Sequence, residues 1–135
     1  PVPDGVRVEV RAELTPHVAV DRDQVCGALE NLLRNALDSM GEAGVLVVET
    51  RALGKWVAVV VRDTGPGVAP EVRDRLFEPL LTTKATGLGL GLVTARTLVE
   101  GQGGKLRCLD AGPPGAAFEV LLPVSPTDAP PPKPS

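Results

Sequence analysis

The hydrophobic period of this chain switches between two and about 3.6 in one order, and that order restricts the folds open to it. Val6, Val8, Val10, Ala12 and Leu14 alternate with Arg7, Glu9, Arg11 and Glu13, the pattern of a half-buried strand. Pro16 interrupts it, and His17–Val20 is expected to continue as a short second strand. Asp21 has the character of a helix N-cap, with Gln24 at the capping-box position. Apolar residues at Val25, Leu29, Leu32, Leu33, Ala36, Leu37 and Met40 then recur at helical spacing, ended by Gly41 and Gly44.

Val45–Arg51 and Trp56–Asp63 are β-rich runs separated by a turn at Gly54, hence a hairpin. Pro70 followed by Glu71–Leu76 predicts a short helix, and Leu80–Leu88 a loop. Leu90–Gln102 is the next helix, stopped by Gly103 and Gly104. Lys105–Asp110 and Ala116–Pro123 form a closing hairpin around Gly112-Pro113-Pro114-Gly115. This order predicts a two-layer α/β sandwich: a mixed, mostly antiparallel sheet built from hairpins, with helices on one face. The alternating βαβ units of a doubly wound fold are not present.

A length of 135 residues suits one domain, expected over residues 1–124. Residues 125–135 are Pro-rich and nearly free of apolar side chains, so they read as a disordered tail. With one Trp, two Phe and no Tyr, the core must be filled by Leu, Val and Ala. A net charge of -3 and this shortage of stacking rings argue against a nucleic-acid surface. Cys26 and Cys108 have no metal-ligand spacing and are expected to be reduced core thiols in a cytoplasmic compartment. No apolar run reaches a membrane span, so no direct membrane contact is expected. The start at Pro1 suggests a fragment whose parent could be membrane-anchored.

Four segments carry chemistry. Asn31, Asn35 and Asp38 are spaced four and three apart on the first long helix and share the side opposite its apolar stripe. A solvated face is the plain alternative, but such faces prefer Glu, Lys and Arg, because Asn is a poorer helix former. Its neutral carbonyl oxygen suits a hard cation that keeps most of its waters. The strand carrying Val57, Val59 and Val61 runs into Asp63-Thr64-Gly65-Pro66-Gly67. Its glycines allow close approach by a flat ligand, and its carboxylate can accept from an exocyclic amine; a plain surface turn is the alternative.

Thr82-Thr83-Lys84 precedes Gly87-Leu88-Gly89-Leu90-Gly91 at a helix start. Freed backbone N–H groups and the helix dipole make a phosphate site there, Lys84 adding a point charge; a flexible hinge is the alternative. The spacing is neither a P-loop nor the dinucleotide fingerprint, since Leu92 occupies the third glycine position.

Together with Phe77-Glu78-Pro79-Leu80-Leu81, these segments resemble the ATP-binding catalytic domain of bacterial sensor histidine kinases. That family belongs to the superfamily shared with gyrase, repair ATPases and a heat-shock chaperone. The resemblance spans roughly residues 6 to 123, and its wording is most similar to the nitrogen-regulation type. It implies the Bergerat-type ATP-binding fold, ATP and Mg²⁺ as ligands, and phosphotransfer to a histidine on a separate dimerisation domain. A response regulator would lie downstream; the fragment would be monomeric and its parent homodimeric.

By the same resemblance Asn35 is the Mg²⁺ ligand and Asn31 supports the phosphates one turn earlier; Asp38, from the same helix stripe, is a further candidate for nucleotide contact. Asp63 bonds the adenine amino group in a pocket shaped by Gly65 and Gly67. Phe77 anchors a lid that holds Thr83 and Lys84. Gly87, Gly89 and Gly91, in the nucleotide-binding run that also holds Leu88 and Leu90, let that lid fold over the triphosphate.

Two departures stand out: Leu80 and Leu81 replace the Phe residues often found there, and only Ala85 and Thr86 separate Lys84 from Gly87. Hydrolysing relatives place a Glu general base where this chain has Asn31, which favours transfer over water attack. Glu30 points about 100° away. His17 lacks the acceptor motif and reads as structural. The alternatives are a stand-alone serine kinase of the anti-sigma type and a non-catalytic ATP-gated binding module.

Overall fold

The computed structural model describes residues 5–13, 15, 17–65, 88–110 and 115–125. The expected helix after Pro70, residues 80–87 of the expected loop and residues 126–135 of the Pro-rich tail lie outside them. Leu88, expected in the loop, is already helical, and Ser125, expected in the disordered tail, donates its N–H to the His17 carbonyl at 2.9 Å. The elements are β1 (Gly5–Ala12), α1 (Arg22–Met40), β2 (Ala43–Leu53), β3 (Trp56–Asp63), α2 (Leu88–Gly101), β4 (Lys105–Asp110) and β5 (Ala116–Pro123). They form one five-stranded sheet in the order β1-β2-β3-β5-β4.

Three of the four pairings are antiparallel, and β1 pairs with β2 in parallel. Parallel neighbours need a long crossover, and the 19-residue α1 supplies it. The fold is thus the expected mixed α/β sandwich, although β1 joins it through this crossover and not through a hairpin. His17–Val20 is not a strand: only one bridge forms, Val18 to Val124, before Asp21 starts α1.

Period two sorts the sheet into unlike faces. Val59 and Val61 face the helices with Phe118, Val120, Leu106 and Leu46. Against them pack Val25, Ala28, Leu32 and Ala36 of α1 and Leu92, Ala95 and Val99 of α2. One Phe among these side chains confirms that Leu, Val and Ala fill the core. The other face carries ion pairs: Arg107 Nε lies 2.6 Å from Glu119, and Glu49 takes Arg62 at 3.1 Å and Arg51 at 3.2 Å. Burial raises the Glu49 pKa, but hydrogen bonds from Arg62 and Arg51 outweigh it and hold the carboxyl below its ordinary value.

Leu92 is fully buried between the layers. Leu92→Ala should therefore cost about 2–5 kcal/mol. Urea unfolding should show a lower midpoint with an unchanged slope.

Cys26 is exposed, which corrects the expectation of a core thiol. One residue past the buried Val25, it points about 100° away from the core. Cys108 does pack against the core. No helix among the described residues is long and apolar enough to cross a membrane.

Candidate functional site

Helix α1 begins as its sequence requires. The Asp21 carboxylate accepts from the Gln24 N–H at 3.1 Å. The reciprocal half of the capping box is relayed. The Asp21 N–H donates to Gln102 Oε1 at 2.7 Å, and Gln102 Nε2 donates to Gln24 Oε1 at 2.5 Å. Gln102 lies just past the end of α2, so the start of α1 touches the end of α2.

A second contact sets the direction of the pair. A Cβ added at Gly27 would sit 3.5 Å from Leu98 Cδ1, so α1 and α2 pack closely there. Gln24 with Gln102 and Gly27 with Leu98 run in opposite senses, as antiparallel helices do. Eight residues beyond Gly27, about 12 Å at the helical rise, lies Asn35. Eight residues before Leu98 lies the first turn of α2, Leu88–Gly91. The two therefore share one end of the helix pair.

Asn31 and Asn35 continue the ridge that begins at Gly27, each four residues on. Both are half-buried, whereas Asp38 is exposed. The Asn35 Nδ2 is buried and has no hydrogen-bond partner among the described residues. A buried amide left unpaired costs about 1–3 kcal/mol. Rotation about its terminal bond lets the same side chain present its carbonyl oxygen instead.

Asp63 ends β3 on the same face as Val59 and Val61, opposite Leu46 on one side and Ala116 on the other. Its side chain is thus turned toward the helix layer. Burial pushes its pKa above the ordinary carboxylate value, and N–H groups of Gly65 and Ala116 offset part of that rise. The Gly65 N–H reaches Asp63 Oδ1 at 2.9 Å. A Cβ at Gly65 would stand 2.5 Å from Ser39 Oγ, so the turn lies directly against the last turn of α1. That turn follows Asn35 by one helical repeat.

Sequence reasoning missed four residues here: Ser39, Thr64, Gly115 and Ala116. Gly115 read only as part of a hairpin turn. In the fold its φ is +71°, its N–H donates to the Gly65 carbonyl at 2.6 Å, and a Cβ there would overlap the Asp63 carbonyl oxygen. No local pattern around Gly112–Gly115 announces a neighbour fifty residues earlier. Gly67, Phe77, Thr83, Lys84 and Gly87 lie outside the described residues; Leu88, Gly89, Leu90 and Gly91 form the first turn of α2.

The Asp63–Gly65 turn, Asn35 and the start of α2 therefore lie toward one end of the helix pair. Half-buried amides of α1 stand at the same end as the N-terminus of α2, whose dipole and free N–H groups favour anions. A half-buried carboxylate on a glycine turn adjoins the following turn of α1. Among the described residues no group of three His, Cys, Asp or Glu side chains forms a metal site. The donor on offer at Asn35 is one neutral amide, which fits a hard ion carried largely by phosphates and water.

Comparison with known proteins places the chain in a family. Residues 20–126 match the family model described as histidine kinase-, DNA gyrase B- and HSP90-like ATPase. Sensor histidine kinase ZraS of Escherichia coli K12 is 36% identical over 110 residues, covering 82% of this chain and 24% of ZraS. Sensory histidine kinase/phosphatase NtrB of Escherichia coli O157:H7 is 33% identical over 135 residues, covering 91% of this chain and 38% of NtrB. The chain thus spans well under half of either relative. Among solved structures, full-length ShkA in complex with AMPPNP superposes with a TM-score of 0.75 at 31% identity, covering 90% of this chain and 26% of ShkA. With the motifs and these matches in agreement, the chain belongs to the histidine kinase-, DNA gyrase B- and HSP90-like ATPase family.

Proposed function

We propose that this chain is the catalytic domain of a sensor histidine kinase, of the nitrogen-regulation type, with its folded unit within residues 1–124. It binds Mg-ATP and donates the γ-phosphoryl group to a histidine on the dimerisation domain of its parent, for relay to a response regulator. One observation carries the reading: Asn35 presents a buried amide nitrogen, unpartnered among the described residues, at the end of the helix pair where α2 begins. The AMPPNP bound to ShkA supports a nucleoside triphosphate as ligand.

In this reading Asp63 accepts from the adenine amino group, while Gly65 and Gly67 leave room for the ring. Asn31 and the N–H groups of Leu88, Gly89, Leu90 and Gly91 hold phosphate oxygens, with Asp38 at the exposed rim. Asn35 turns its carbonyl oxygen to Mg²⁺. Phe77, Thr83, Lys84 and Gly87 serve the lid. When bound, Mg²⁺ neutralises phosphate charge. The chain's own part is positioning and electrostatic stabilisation, the main needs of phosphoryl transfer. Asn31 stands where a Glu would activate water, so transfer is favoured over hydrolysis.

Titration calorimetry should show ATP binding that tightens with Mg²⁺, with little turnover by the chain alone. Adding the parent's dimerisation domain should yield an acid-labile phosphate on that domain. Acid-stable phosphoserine, or no ATP binding, would overturn the reading.

A further inference from the structure

The last rung between β2 and β3 in the regular ladder joins Leu46 to Asp63. The next rung would pair the backbones of Val45 and Thr64. Instead the Val45 N–H donates to Thr64 Oγ1 at 2.9 Å. The same hydroxyl points its proton at Met40 Sδ, 3.8 Å away at the end of α1. A side chain thus stands in for a backbone carbonyl, and the main chain of Thr64 and Gly65 is freed to leave β2. It turns the other way, where the Gly65 carbonyl accepts from the Gly115 N–H at 2.6 Å. Space around the hydroxyl is tight, since a Cβ on Gly44 would lie 2.9 Å from Thr64 Oγ1 and 2.6 Å from Met40 Sδ.

We infer that Thr64 is a positioning residue for adenine recognition: its hydroxyl replaces one sheet rung and so holds the Asp63 carboxylate and Gly65 against the end of α1. The inference rests on the ATP-binding reading above. Without the hydroxyl, the Val45 N–H is satisfied only if the Thr64 backbone swings toward β2 or water enters. Either change loosens the turn that fixes Asp63. Serine keeps the rung; valine keeps the shape and loses it.

The test compares the 135-residue chain with its Thr64→Val and Thr64→Ser variants, using ATP as the probe with Mg²⁺ present. Thr64→Val should bind ATP about three- to tenfold more weakly, the range of one neutral hydrogen bond. In the nucleotide-free protein its Val45 amide should exchange faster with solvent, while the Val120 amide in the middle of the sheet stays at the wild-type rate. Thr64→Ser should restore both. Wild-type ATP affinity in Thr64→Val, a loss that serine fails to rescue, or equal acceleration at Val45 and Val120 would overturn the inference alone. Failure of the wild-type chain to bind ATP would remove the functional reading along with it.

Discussion

Asp63→Asn should weaken ATP binding by about a hundredfold, the worth of a hydrogen bond to a charged acceptor, while leaving the nucleotide-free protein at least as stable as wild type. The Asp63 carboxylate sits partly desolvated on the helix side of the sheet, and burial raises its pKa above the ordinary 3.8. An acid whose folded pKa exceeds its unfolded value contributes stability in full below the unfolded value. That contribution is lost as pH rises through the folded value. At neutral pH the wild type has therefore lost it, whereas asparagine never ionises. The melting-temperature difference between variant and wild type should grow in favour of the variant as pH climbs from below 3.8 into the neutral range.

Recognition should move the other way. Asparagine places an amide that can donate where adenine also donates. A triphosphate whose purine carries a 6-carbonyl should lose far less affinity for the variant than ATP does. Calorimetry with ATP and inosine triphosphate checks this; an unchanged preference for ATP would mean Asp63 does not meet the 6-position.

The second large effect is expected at Asn35. Its amide nitrogen is buried and unpaired among the described residues, so truncation removes a liability of about 1–3 kcal/mol along with some packing. Asn35→Ala should shift nucleotide-free stability little, by about 1 kcal/mol or less once those terms offset. Its binding phenotype should be specific: Mg²⁺ should no longer tighten ATP binding, and affinities with Mg²⁺ and with a chelator should converge. Wild-type enhancement by Mg²⁺ in this variant would remove Asn35 from the metal site. The two substitutions test separate ends of the ligand, so a base-end defect with intact Mg²⁺ dependence distinguishes Asp63 from Asn35.

Much of this was legible because the relevant forces are local. Asp21 caps α1, Gly41 ends it with φ +72°, and Gly54 at φ +60° turns the β2–β3 hairpin, as their residue types require. The side of the sheet on which Asp63 lies follows from Val59 and Val61 by strand period alone. Other outcomes needed partners far along the chain. Gln24 reads as half of a capping box, but its bond to the helix start passes through Gln102, 78 residues away. The parallel mate of β1 is chosen by where α1 returns the chain, and the alternation of Val6, Val8 and Val10 is the same for either orientation of a partner.

The sequence by itself determined where the backbone turns, which stripe of each element is apolar, and which residue types could meet a nucleotide. Those properties come from torsional preference and period, both readable within a few residues. Tertiary structure alone decided that Gly115 and Ala116 close on Asp63, that Thr64 supplies a missing rung to Val45, and that α2 runs back along α1 so that its first turn shares one end of the helix pair with Asn35. Each is a contact between segments that share no local pattern, formed when burial of the common core brings them together and their buried polar groups must find partners there.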